Sequence, residues 1–519
     1  MASGSARRLP GWLLLCGAAA LALLLYRPWH PRAFDVLDFS EFLPLLDRAH
    51  DAPHRFAALT EYYGRLHGRF NVVGYAALAT KWSWLGAEPL RWQLLRAAEL
   101  LLIALLAFSL LRRLAAGALG AALAAVLFLF SYSAGLTWVR LTMGEPLGLL
   151  FALLAALAAT RLDLAKRAWV PAALAGLSLT AAILTKEMLV AWVPVVLLIA
   201  ISRSPEGRLE RWRLDARARG VLIAVTLGAL LAGVLVIRAA RGASGEGYAA
   251  TYGHAVLSLS RLGELFQRQF LPWPITGRSD GVVLLIAALL FLGVIGLGLR
   301  AGLQDPGWRK HCLRVLLVGL ALPFAGALAY LPWPVYAPFY GFAFLFGPAL
   351  LLATAVTILE ARGGRARPLA WAASFAVLLL IAPQAVRLAQ SAEARQEVMT
   401  AVARALLSEH AAKRIVVAVP VLPAQTWQGI APTLARYAAA QPDGHPMPPA
   451  EDMLCADAGR LLQGGAEGTL LVSFSDSCGE IPGPTLLIRQ DFNYWRWEPP
   501  GLGRDSLRAD VALLPGSPR

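Results

Sequence analysis

Charge is scarce in this chain. Asp, Glu, Lys and Arg together supply 16% of the residues and hydrophobic residues 57%, whereas a soluble globular domain carries about 25% charged residues. A chain so poor in charge is a membrane protein in bulk, as its mean hydropathy of +0.56 also indicates. Cysteine is rare as well. The four present, Cys16, Cys312, Cys455 and Cys478, show no CxxC spacing and no grouping with His, which argues against a zinc site. There are five lysines against forty-three arginines, a bias of codon usage, so any lysine at a special place stands out. Internal repeats and low-complexity tracts are missing. Acids are outnumbered, giving a net charge of +15 and a pI of about 10.1. That balance would suggest nucleic acid if it covered a folded surface. Here the cations sit in short segments between apolar runs, where membrane topology requires them, so no nucleic-acid partner is expected.

What is present is a succession of apolar runs long enough for a hydrocarbon core of about 30 Å. They lie near 10–26, 92–111, 114–132, 145–160, 169–185, 187–202, 220–240, 281–299, 313–331, 341–359 and 369–386. The expected fold is therefore a polytopic α-helical membrane protein of about eleven transmembrane helices. With Arg7 and Arg8 inside, every alternate connection is basic: Arg112–Arg113, RLDLAKR (161–167), 202–219, 300–314 and 360–367. The positive-inside rule then puts the N-terminus in the cytoplasm and two long loops, 27–91 and 241–280, on the outer face. The first run also fits a cleaved signal peptide, which would leave the later topology unchanged. Past Arg387 the composition changes. Helical periodicity at 391–412 is followed by a β-like run at 414–421, helices near 427–440 and 451–464, and short strands at 469–474 and 485–490. Such alternation predicts a small extracytoplasmic α/β domain over 389–519, behind a membrane module over 1–388. Cys455 and Cys478 both fall in that domain, where an oxidising compartment could join them or leave two free thiols.

Charged side chains collect at the outer rim of this topology. RAFDVLDFSEFLPLLDR (32–48) places Asp35, Asp38 and Glu41 at intervals of three. As a helix it would carry an apolar stripe at 39, 42, 43 and 46 and lie at the lipid surface with its acids toward water. Arg140 and Glu145 flank the outer end of the third and fourth runs, and Lys186–Glu187 form the outer turn between the fifth and sixth. Lys186 is on the side where topology disfavours cations. Arg96 and Glu99 are three apart near the outer end of the second run. Ordinary structure accounts for each alone: solubilising acids, a first-turn acid beside Pro146, a snorkelling pair and a satisfied ion pair. Together they make a polar crater with cations and carboxylates at one depth. A cation there can hold the phosphate of a lipid carrier, and a carboxylate can take the proton from an attacking hydroxyl.

At these residues the chain resembles the GT-C superfamily of polytopic glycosyltransferases, of the protein O-mannosyltransferase and lipid A aminoarabinose transferase type. AFDVLDF is similar to the acidic motif of the first outer loop, where an Asp is the catalytic base. GAEPLRWQLLRAAELLL (86–102) is similar to the segment in which Gly precedes an Arg that opens the second span. RLTMGEPLGLLFALLA (140–155) resembles an Arg-x4-Asp-x2-Leu pattern with Glu145 in place of Asp, and LTKE (184–187) resembles a recurrent lysine motif. The likeness covers roughly residues 1–200. It departs where the family has adjacent acids, since here they are Asp35 and Asp38, and no Lys-Pro-Pro-like stretch is present.

The resemblance implies a glycosyltransferase moving a sugar from a polyprenyl-phosphate donor to an acceptor hydroxyl on the extracytoplasmic face of a bacterial inner membrane, with inversion. Asp35 or Asp38 would be the catalytic base. Arg140, Glu145, Lys186, Glu187 and Arg96 would bind substrate. No cofactor is certain and a divalent cation is possible; the acceptor is a glycan, a lipid or a protein. Alternatives are a lipid-linked glycan transporter or flippase and an O-antigen ligase or polymerase. Carriers place ionisable groups near the bilayer midplane and often show inverted repeats, and ligases carry a large outer loop between late spans. Neither is seen in this sequence. A scaffold acting through its C-terminal domain is a further alternative.

Overall fold

The computed structural model describes residues 11–29, 45–46, 49–66, 69–86, 88–115, 117–162, 169–202, 216–242, 258–271, 281–331, 338–408, 414–419, 450–454, 457, 460, 469–474, 485–489 and 510–514. A helix stands at each of the eleven apolar runs. The reason is general: where water is absent, a helix satisfies every backbone polar group within the segment.

In chain order the helices are α1 (Gly11–Tyr26), α2 (Ala52–Glu61), α3 (Val72–Leu85), α4 (Pro89–Ala115), α5 (Ala118–Ala125), α6 (Leu127–Phe130), α7 (Tyr132–Val139), α8 (Glu145–Thr160), α9 (Trp169–Thr185), α10 (Trp192–Ile201), α11 (Ala216–Gly242), α12 (Leu259–Phe270), α13 (Gly281–Gln304), α14 (Pro306–Tyr330), α15 (Phe346–Arg362) and α16 (Ala366–Ser408). Helices α2 and α3 fill much of the expected first outer loop, and α12 lies in the second. Among the described residues, five helices are long and apolar enough to cross a bilayer. A sixth is obtained if residues 118–139 count as one span bent by 50° at Ser131, and four apolar segments of 10–17 residues accompany them.

The described residues divide into two compact units that part between Val386 and Arg387, with the short stretch Val139–Thr142 assigned to the second. In the first, α15 is the axis. Every residue from Phe346 to Leu359 is buried, and the helix packs against α4, α5, α13 and α14. Glycine makes two of these crossings possible. A Cβ on Gly120 would lie 2.4 Å from the Ala353 carbonyl oxygen, and one on Gly347 would lie 2.5 Å from that of Gly319. Small residues at such crossings let backbones approach where the hydrophobic effect between helices is weak. The outward faces are apolar instead: Leu227, Leu230 and Leu231 on α11, Leu285 and Leu289 on α13, and Leu379 on α16 are exposed. That surface suits hydrocarbon rather than water.

In the C-terminal region α16 runs through Pro383 to Ser408, and the sheet departs from expectation at two strands. Residues 450–454, expected to open a helix, form a strand, and residues 510–514 add a strand that no alternation signalled. The five strands β1 (Arg414–Val419), β2 (Ala450–Leu454), β3 (Thr469–Phe474), β4 (Thr485–Arg489) and β5 (Asp510–Leu514) make one sheet ordered β2-β1-β3-β4-β5. The first four run parallel and β5 is antiparallel to β4. Pairing of β2 along the whole of β1, from Ile415 opposite Ala450 to Val419 opposite Leu454, overrides the helical leaning of AEDML. The segment 427–440, Cys455, Cys478, Trp273, Trp333, Trp495 and Trp497 lie outside the described residues; Cys16 and Cys312 are free thiols.

Candidate functional site

The turn Leu141–Gly144 ends a bent helix pair and starts α8, with Gly144 as its N-cap, Glu145 in the first turn and Pro146 behind it. Pro has no N–H to lose in that turn, and an acid there faces the positive end of the helix dipole. Helix α9 ends at Thr185, and Lys186 begins a 3₁₀ turn over Glu187–Ala191 that leads into α10. These two chain reversals meet. Lys186 Nζ lies 2.9 Å from Glu145 Oε1, with the two side chains only 14% and 5% exposed. Close backbone approach helps: a Cβ on Gly144 would touch Thr185, and one on Gly74 of α3 would lie 2.9 Å from the Thr185 carbonyl oxygen.

Around this pair stand groups that the motifs did not mark. The ring of Tyr340, in a 3₁₀ segment over Pro338–Phe344, sits under Lys186 with Nζ 5.1 Å from its centroid. That segment is pinned by Trp192, whose indole N–H donates to the Ala343 carbonyl at 3.0 Å. Arg69, just ahead of α3, places its charge on Lys186, as does Glu187. Burial alone would lower the Lys186 pKa. Glu145, Tyr340 and Glu187 outweigh both burial and Arg69, so the pKa is raised above its ordinary value and the ammonium stays charged. One oxygen of Glu187 is buried and has no hydrogen-bond partner among the described residues.

A second ionic group lies beside the first. Arg96, 1% exposed on α4, binds Glu99 through Nη1 at 3.0 Å. Its Nη2 donates to the Met143 carbonyl at 3.1 Å. Lys81 of α3 closes on the same Glu99. Burial first, and then Arg96, lower the Lys81 pKa against the pull of Glu99. The group holds two cations and one carboxylate. Its guanidinium clamps the backbone two residues before Glu145, so Arg96 reaches the first cluster through the 143–145 turn.

Of the residues expected at the site, the structure thus brings Glu145, Lys186 and Glu187 together and places Arg96 behind them. Arg140 is buried within the Val139–Thr142 stretch of the second unit. Asp35, Asp38 and Glu41 lie outside the described residues. Lys81, Arg69 and Tyr340 were missed. Lysine scarcity was a usable signal for Lys81, since it interrupts the apolar run of α3; nothing local points to Arg69 or Tyr340. Among the described residues no group of three or more His, Cys, Asp or Glu could hold a metal ion.

No curated protein matches the chain. Several solved structures resemble it distantly. The archaeal oligosaccharyltransferase AglB from Archaeoglobus fulgidus, in complex with an inhibitory peptide and a dolichol-phosphate, is 12% identical with a TM-score of 0.46, the match covering 85% of this chain and 64% of that one. The Archaeoglobus fulgidus oligosaccharyltransferase in complex with Zn and sulfate is 12% identical, TM-score 0.43, covering 82% and 61%. ArnT from Cupriavidus metallidurans bound to undecaprenyl phosphate is 14% identical, TM-score 0.45, covering 87% and 91%. This chain spans less than two thirds of the length of the archaeal enzymes. Residues 32–234, which carry Arg69, Lys81, Arg96, Glu99, Glu145, Lys186 and Glu187, match the family of dolichyl-phosphate-mannose-protein mannosyltransferases, and over that segment the resemblance to polytopic GT-C glycosyltransferases holds.

Proposed function

We propose that this chain is a glycosyltransferase that moves a sugar from a polyprenyl-phosphate carrier to an acceptor hydroxyl at the outer surface of a bacterial inner membrane. One observation carries the proposal. Two chain reversals inside the family-matched segment deliver a charged, nearly buried Lys186 against Glu145 and over the Tyr340 ring. A lysine ammonium has three N–H donors and the Glu145 pair uses one, so others are available to a carrier phosphate. The phosphate leaves as a stable anion, and its binding by a fixed cation lowers the barrier to breaking the anomeric C–O bond. Arg140 would assist at the phosphate. Glu145 and Glu187 would hold the acceptor or a divalent cation.

The reaction balances as a single displacement. The acceptor oxygen bonds to the anomeric carbon, the bond to the carrier phosphate breaks, and the hydroxyl proton passes to Asp35 or Asp38 acting as base. Inversion follows from attack on the face opposite the leaving group. Arg96 holds the 143–145 turn and so fixes Glu145, with Lys81 and Glu99 holding Arg96. In this reading the bent pair over 118–139 and the shorter helices α1, α8, α9, α10 and α15 also cross the bilayer, giving about eleven spans. The N-terminus is then cytoplasmic, with the α/β domain after residue 388 outside.

The test is sugar transfer by the purified protein from undecaprenyl-phosphate hexoses to membrane acceptors. We expect Lys186→Met and one of Asp35→Asn or Asp38→Asn to abolish transfer while the protein stays folded. Full activity in both Asp variants would remove the mechanism, and carrier transport without covalent transfer would favour a flippase.

A further inference from the structure

Helix α12 is amphipathic. Ser258 caps it by accepting from the Arg261 N–H, and Arg261 and Arg268 pair with Glu264. Leu265 and Gln269, one turn apart, form its buried stripe. A core position four residues after a buried Leu calls for another apolar side chain. Gln269 instead puts a primary amide there with 0% exposure, and neither its Oε1 nor its Nε2 has a hydrogen-bond partner among the described residues. A buried amide of this kind is disfavoured unless something else satisfies it.

Its neighbours show what could. Gly326 of α14 makes the room: a Cβ there would lie 2.1 Å from Gln269 Oε1 and 2.8 Å from the Phe344 ring. One turn along the same face of α14 is Tyr330, stacked on Tyr340 with centroids 4.9 Å apart. Tyr340 is the ring beneath Lys186. The wall of the site therefore continues from the ammonium across two stacked tyrosines toward an unsatisfied amide. A cation at one end and an amide at the other match the carrier phosphate and a sugar hydroxyl, since a pyranose offers hydroxyls to an amide.

We propose that Gln269 is a sugar-binding residue of the donor site, its amide exchanging hydrogen bonds with a ring hydroxyl of the lipid-linked sugar. This rests on the glycosyltransferase reading above. It makes the amide a reader of the sugar, separate from the Lys186 contact to the carrier phosphate.

The experiment compares equilibrium binding of undecaprenyl phosphate and undecaprenyl-phosphate mannose to full-length protein, with Gln269→Met as a variant of similar length that lacks the amide. We expect the wild type to bind the sugar-bearing carrier more tightly. Gln269→Met should lose roughly tenfold of that preference, with bare-carrier affinity within twofold and thermal stability unchanged or higher. A monodeoxy donor lacking the contacted hydroxyl should weaken binding to the wild type but not to Gln269→Met. Equal preference in both proteins, equal loss for both ligands, or a fall in stability that accounts for the loss would overturn the assignment. So would a variant that shifts only the acceptor KM. If the wild type binds neither carrier, the glycosyltransferase reading falls and takes this one with it. If it binds both and only Lys186→Met is impaired, the amide assignment alone fails.

Discussion

The Glu145–Lys186 pair offers a double-mutant cycle whose outcome follows from the geometry. The charges are 2.9 Å apart, with side chains 5% and 14% exposed, so screening by water is slight. Removing one partner of a buried pair costs about 3–5 kcal/mol, because the other is left as an uncompensated charge. For Lys186→Met the cost is reduced by the α8 N-terminus, which favours the orphaned Glu145 by about 1 kcal/mol. For Glu145→Gln it is reduced by the Tyr340 face, worth about 0.5–2 kcal/mol to the remaining ammonium. Both single variants should then lose roughly 2–4 kcal/mol. The double variant removes both charges and should recover most of that, giving a coupling of about 2–3 kcal/mol. Reversible denaturant unfolding in detergent measures the stabilities, and sugar transfer is followed in parallel. Additive losses, or singles within about 0.5 kcal/mol of wild type, would refute the electrostatic account. If the double variant regains transfer along with stability, the pair is a structural strut and the phosphate role of Lys186 falls.

Other outcomes follow from the same structure. Gly120→Ala should cost about 1–3 kcal/mol by overpacking against α15, whereas Gly293→Ala, where nothing lies within 4 Å of an added Cβ, should be neutral or slightly stabilising in the same unfolding assay. Arg96→Met leaves Glu99 with Lys81 but strips the Met143 carbonyl of its donor; we expect about 1–3 kcal/mol of lost stability and a fall in kcat larger than the change in carrier Kd. The raised pKa of Lys186 means that its contribution to stability is complete below about 10.5, the unfolded value. It is lost only as pH rises through the higher folded value. Transfer should therefore show no basic limb from this lysine between about pH 7 and 9, and a limb there that Lys186→Arg abolishes would contradict the assignment. Deleting residues 409–519 should leave carrier binding intact, read by the same equilibrium titration.

Much of the membrane portion was legible because burial in lipid writes itself into composition. Runs without charge had to become helices, and α8 and α9 fall at 145–160 and 169–185 because Glu145–Pro146 and Lys186 punctuate the apolar text. Lys186, Glu145 and Glu187, which the structure brings together, were singled out by their position at one rim. Arg69 and Tyr340 were not, because what makes them part of the site is packing between segments far apart in the chain, and neither stands in a pattern that local spacing detects. Lys81 was hidden for a similar reason: its partner Glu99 already had a local explanation in Arg96, so a third charge was not sought. Past residue 408 the failures are of the opposite kind. AEDML reads as helix by its acids and Leu, and only an available parallel edge on β1 makes it a strand.

The burial of α15 on all sides has a consequence for how the protein is made. Helices α4 and α5, which flank it, are complete at Ala115 and Ala125, about 220 residues or more before it begins at Phe346, which at about 5–20 residues per second is roughly 10–50 s. During that interval the face of α5 carrying Gly117 and Gly120 stands open to lipid or to whatever assists insertion. The late helix must then enter a slot whose walls are already built. Biogenesis of this bundle ends with a keystone, and a nascent chain stalled before residue 346 should be the species most readily captured by insertion chaperones or degraded by membrane proteases.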